Sequence, residues 1–157
     1  MAMGESLQIQ TSKLIAEKGG HKKLGEEPIL DLVQEICEPN TERGEWINSY
    51  DIVGATGVLR FERKTSPGKC GTECKAIAQI CEDIRTEVGE SEIAESLFRG
   101  GYTSPGTEFA GILCKKLTGA CKSAPKPLKK PRQDEAFEEF DPKVIVAFAC
   151  IALLEES

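Results

Sequence analysis

Seven cysteines, at positions 37, 70, 74, 81, 114, 121 and 150, set the tightest limit on what this chain of 157 residues can become. Six of them fall between residues 37 and 121 and one lies apart. That density is unusual in a reducing compartment. An even cluster with one outlier reads as three disulfide bridges formed in an oxidising one. Cys74 and Cys81 are seven residues apart, as are Cys114 and Cys121. Seven residues make nearly two helical turns, so each pair lies on one side of its helix, roughly 10 Å apart along the axis. Two antiparallel helices side by side could then be bridged twice, Cys74 to Cys121 and Cys81 to Cys114. Cys37 and Cys70 are left as the third pair, and Cys150 stays unpaired. Each bridge would stabilise the fold by roughly 2–4 kcal/mol. The competing possibility is seven free, buried thiols, since cysteine is a common core residue.

Other cysteine chemistry fits less well. Zinc sites favour C-x2-C knuckles or added histidines, and the spacings here are C-x3-C and C-x6-C. The C-x-x-C of thioredoxin-type redox centres is absent. The single histidine, His21, sits in a Gly-Gly-His-Lys-Lys segment and is the sole imidazole for any triad. No Gly-rich segment forms a phosphate cradle, and pairs such as Glu26–Glu27 and Glu138–Glu139 read as solvated charge. No catalytic set, metal site or cofactor is therefore expected. A net charge of −6 argues against a nucleic-acid module, which would show a basic face.

Along the chain, helical periodicity dominates. Leu7, Leu14 and Ile15 mark a helix over 5–18, stopped by Gly19 and Gly20. Pro28 opens a second, with Ile29, Leu32, Val33, Ile36 and Cys37 as its apolar stripe. Runs with strand character at 46–53 and 58–61 flank Gly54-Ala-Thr-Gly57, which predicts a short hairpin at about 46–61. Further helices are expected at 71–88, at 92–99 with Ser91 as its cap, and at 107–121. Two domains of unequal order follow: a helical body over 1–121, and a tail over 122–157. The tail's first part, KSAPKPLKKPR, is basic and proline-rich and predicts an extended, disordered linker. Its last apolar run, Val144–Leu154, is eleven residues long, short of the about 20 a membrane-spanning helix needs. It is either a short element docking on the body or an end foreign to the folded domain. No transmembrane segment is expected.

Four linked features resemble the saposin B-type fold: small helices, three bridges, a Cys on a Leu-Val-x-x-Ile-Cys helix, and Ile-Leu-Cys-x6-Cys near the end. The closest likeness is to the canopy-like, saposin-related proteins of the endoplasmic reticulum, particularly plant members. The matching segments are Ile29–Cys37, Lys69–Cys74 and Ile112–Cys121. The resemblance implies a mainly α, disulfide-linked helical bundle. It also implies a secretory-pathway protein that helps other proteins mature rather than an enzyme. In the family, a C-x-x-C on the first helix bridges to the last two cysteines, here Cys114 and Cys121. Residues 5–18 hold no cysteine, no signal-peptide-like run precedes them, and the chain ends Leu-Glu-Glu-Ser without a retention signal.

Three functions stay open. The first is a protein-binding or chaperone-accessory module in the endoplasmic reticulum lumen or secreted, favoured by the cysteines and the acidic balance. The second is a lipid- or membrane-binding saposin-like protein, suggested by the aliphatic helix stripes. The third is a cytoplasmic helical interaction protein with free thiols, suggested by the N-terminal sequence.

Overall fold

The structure, a computed structural model, describes residues 2–139, apart from the side chain of Cys121. The Val144–Leu154 run and Cys150 lie outside the described residues. The described chain is mainly helical with one small antiparallel sheet. Its order is α1 (Ala2–Glu17), α2 (His21–Leu24), α3 (Glu27–Glu35), a 3-10 turn (Glu45–Ser49), β1 (Tyr50–Val53), β2 (Arg60–Arg63), α4 (Thr72–Val88), α5 (Glu90–Gly100) and α6 (Glu108–Ile112). α6 continues as a wider π turn, Leu113–Leu117.

One apolar core collects the stripes of these helices. Leu7, Ile29, Val33, Ile36, Ile93, Leu97 and Phe109 are fully enclosed within it. Pro28 stands in the first turn of α3, where its missing N–H costs nothing. α5 begins after Gly89 rather than on a Ser91 cap, and ends on Gly101 in the left-handed conformation. The expected hairpin forms in the register Tyr50↔Arg63 to Val53↔Arg60, while residues 45–49 wind into the 3-10 turn. A smaller apolar cluster of Ile47, Cys74 and Ile77 sits beneath it.

α6 packs along α1, and small residues allow the approach. A Cβ on Gly4 would lie 2.5 Å from Ala110 Cα. The buried Gln8 ties the same two helices: its Oε1 accepts from Phe109 N at 2.8 Å, and its Nε2 donates to Glu108 at 2.5 Å. The Gln8 bond is the main cause that holds the Glu108 carboxyl below its usual range.

The disulfides correct the expected ladder. Cys37 is bonded to Cys81 and Cys70 to Cys74, so none of the three predicted pairs forms: not Cys37–Cys70, Cys74–Cys121 or Cys81–Cys114. Cys114 is disulfide-bonded as well. The ladder needed a straight helix over 107–121 lying beside α4. Instead α6 is short, widens at residue 113, and lies along α1. The end of α3 takes the place beside Cys81, and Cys70 folds back over the first turn of α4 onto Cys74.

The first part of the tail is not a free linker. Residues 128–139 form a strap across the hairpin and the start of α4. Leu128 N and Arg132 N donate to the carbonyls of Gly57 and Ala55, and Lys69 N donates to Glu138 O. Arg132 Nε donates to Gly54 O at 2.8 Å, while its other nitrogens reach Ile52 O, Asp134 and the buried carboxylate of Glu73. Glu73 also accepts from Ile52 N at 3.0 Å and Glu135 N at 3.3 Å. Glu135 returns the favour at the helix end, accepting from Thr72 N at 3.2 Å and Glu73 N at 2.9 Å. Gly68 makes room for the strap: a Cβ there would come within 2.6 Å of the Phe137 ring.

Three outcomes are expected. Cys37→Ser and Cys81→Ser should each cost about 4 kcal/mol, the chain-entropy value for a loop of this length. The double variant should cost little more in urea unfolding, because both remove one bond. Gly4→Ala should lose about 1–3 kcal/mol to overpacking against backbone that cannot yield, more than the ~1 kcal/mol of helix propensity it gains. The bonds from Glu73 N and then Thr72 N hold the Glu135 carboxyl below its ordinary 4.5. Their contribution is therefore complete above that value and lost as the pH falls through the lowered one. Hydrogen exchange of residues 128–139, corrected for its intrinsic pH dependence, should accelerate on acidification below about 4.5, and Glu135→Gln should remove that step.

Candidate binding cleft

A depression of about 580 Å³ runs between one face of α1 and the turn that leads into the hairpin. Among the α1 residues that line it, Ala2, Glu5, Ser6, Ile9, Lys13 and Glu17 recur at helical steps. This is the more polar side of a helix whose other side carries Leu7 and Ile15 into the core. The facing wall is built from Glu42, Arg43, Trp46 and Tyr50, with Arg63 of β2 at one end.

Hydrogen bonds hold both walls. Gln10 Nε2 donates to Arg43 O at 2.7 Å, fixing the turn against α1. Trp46 Nε1 donates to Ile36 O at 2.8 Å, which anchors the indole to the end of α3. Trp46 meets Tyr50 edge to face at 5.9 Å between ring centres, and Tyr50 stacks on Phe61 at 4.7 Å. Burial and then the Glu5 carboxylate raise the Tyr50 phenol above its ordinary value, so it remains a hydrogen-bond donor through neutral pH. Arg63 reaches Glu5 across the cleft at 3.8 Å, and Arg43 Nε lies 3.7 Å from Glu35. The inner Arg43 nitrogen, Nη1, is buried without a protein partner. The lining thus alternates aromatic and aliphatic surface with charges of both signs.

The sequence-predicted site residues lie elsewhere. Cys37 and Cys81 are in the core, and Cys70 and Cys74 flank the start of α4. His21 opens α2 with its ring against Phe98. Its Nε2 stands 2.6 Å from Phe98 O, and because a carbonyl can only accept, that nitrogen carries the proton. Among the described residues there is no cluster of three metal-ligating side chains, and no helix is long and apolar enough to cross a membrane. The cleft residues come from segments far apart in the chain. Their only sequence signal was an aromatic pair, Trp46 and Tyr50, beside a charged turn.

Comparison with protein-family models, with curated proteins and with solved structures gives no match.

Proposed function

We propose that this chain is a non-enzymatic protein-binding module of the secretory pathway, an accessory to the maturation of other proteins, which holds a peptide segment of its partner in the α1 cleft. The observation that carries this reading is the lining of the cleft: two neighbouring aromatic rings, the aliphatic side chains of Ile9, Leu14 and Leu32, and Arg43 and Arg63 set among glutamates. Aromatic and arginine side chains are the residues on which protein–protein binding energy concentrates. The charged rim disfavours an acyl chain, which would need a continuous apolar wall. Disulfides agree with an oxidising compartment, and so with the secretory reading over the cytoplasmic one. The resemblance to saposin-related proteins of the endoplasmic reticulum points the same way.

The test uses the oxidised full chain. Trp46 is the only tryptophan, so its fluorescence reports on the cleft alone. Selection from a displayed library of random peptides should enrich binders that shift Trp46 emission. Arg63→Glu changes an exposed side chain on the cleft rim. It should weaken these binders about tenfold, the size of a moderate interface contact. Failure to enrich any binder, or binders indifferent to Arg63→Glu, would overturn the cleft assignment. Flotation of the chain with phosphatidylserine-containing vesicles at physiological salt would instead favour the lipid-binding function.

A further inference from the structure

We propose that Cys70–Cys74 is an exchangeable disulfide, reduced by the dithiol of a partner protein, and that its opening releases the 128–139 strap. The proposal is independent of what occupies the α1 cleft.

The two bridges described atom by atom differ in kind. Cys37–Cys81 spans a sequence separation of 44, and both cysteines are 2% exposed in the middle of the main core. Cys70–Cys74 spans a separation of 4. So short a loop restrains little of the unfolded chain, so this bridge can open without undoing the fold. It is also within reach. Cys70 is only half-buried, and both cysteines line a depression of about 250 Å³ between the start of α4 and the strap.

The surroundings give the exchange a direction. An incoming thiolate meets Cys70 first, because Cys74 is turned inward at 6% exposure. Cys74 is then the leaving sulfur. It lies in the first turn of α4, where the helix end favours negative charge. The nearby carboxylates of Glu73 and Glu135 are occupied by backbone N–H groups and by Arg132. Asn48 Oδ1 stands 3.2 Å from Cys74 Sγ, an acceptor already in place for a thiol proton. Asn48 is itself held by its Nδ2 donating to Pro39 O.

In the first step the partner's thiolate bonds to Cys70 Sγ, the Cys70–Cys74 bond breaks, and Cys74 leaves as a thiolate that takes up a proton. In the second the partner's other thiol, deprotonated, attacks its own sulfur in the mixed disulfide and Cys70 leaves, also to be protonated. The partner's dithiol is oxidised to a disulfide, and Cys70 and Cys74 are reduced to two thiols. One electron pair passes per molecule.

The consequence for the strap follows from where it is tied. Lys69 N, Thr72 N, Glu73 N and the Glu73 carboxylate are its attachments at the start of α4. All four lie in or beside the five-residue loop that the bridge closes. Opening the bridge frees that loop, and the register of these bonds is lost with it.

The experiment titrates the oxidised full chain with dithiothreitol without denaturant and maps alkylated cysteines by mass. Cys70 and Cys74 should open together at a dithiol concentration at least about tenfold below that for Cys37 and Cys81. Tryptic cleavage after Lys129 and Arg132 should rise in step. With oxidised glutathione, Cys74→Ser should form a mixed disulfide at Cys70, whereas Cys70→Ser should leave Cys74 largely unmodified. Opening of Cys70–Cys74 only together with Cys37–Cys81 would overturn the proposal. So would equal modification of the two single variants, or a strap whose cleavage ignores reduction. The wild-type titration decides the matter even where a variant fails to fold.

Discussion

At the centre of the molecule the sulfurs of Cys37 and Cys81 join the end of α3 to the middle of α4, and both are enclosed by the core. Everything between them in the chain is a long excursion: the turn at 38–49, the hairpin, and the approach to α4. The bridge brings the two ends of that excursion together, so the excursion must close back on itself. Ile36 and Cys37 bury on one side of the closure, and Trp46 binds the Ile36 carbonyl on the other. The cleft wall exists because this excursion is pinned at both ends.

A second junction, polar rather than covalent, completes the hairpin side. Glu73 is buried, and a buried carboxylate is costly unless its lone pairs are satisfied. Here they accept from Ile52 N, Glu135 N and Arg132. The three donors come from β1 and the strap, so one side chain on α4 holds three parts of the chain in register. Lys64 adds to the hairpin by pairing with Asp51 at 2.9 Å, the bond chiefly responsible for raising its own ammonium above the ordinary value.

The α1 cleft and the depression over the short bridge meet at one residue. Tyr50 lines both the α1 cleft and the depression over Cys70–Cys74. It is the first residue of β1, so a change in how the strap and the start of α4 hold the hairpin can be felt at the aromatic wall of the cleft. The proposed peptide cleft and the short bridge thereby share one strand.

Much of this architecture was legible in the sequence. Apolar spacing marked α1, α3 and α4, cap and stop signals marked α5, the Gly54–Gly57 segment marked the hairpin, and the cysteine count marked a disulfide protein. Those signals are local: they depend on helical and strand periods and on turn chemistry within a few residues. The pairing of the cysteines was not local. Equal seven-residue spacing says that two cysteines share a face of one helix, but not which helix will lie against it. That was decided by Gly4 and Ala110, whose small size lets α6 settle on α1, and by α3 taking the place beside Cys81. Likewise a proline-rich, charged stretch gives no sign of order by itself. It becomes a strap only because Gly68 leaves a bare floor and Glu73 offers Arg132 a buried partner. Secondary structure and cysteine chemistry thus belonged to the sequence, whereas partner choice belonged to tertiary packing, because it depends on which surfaces fit at close range.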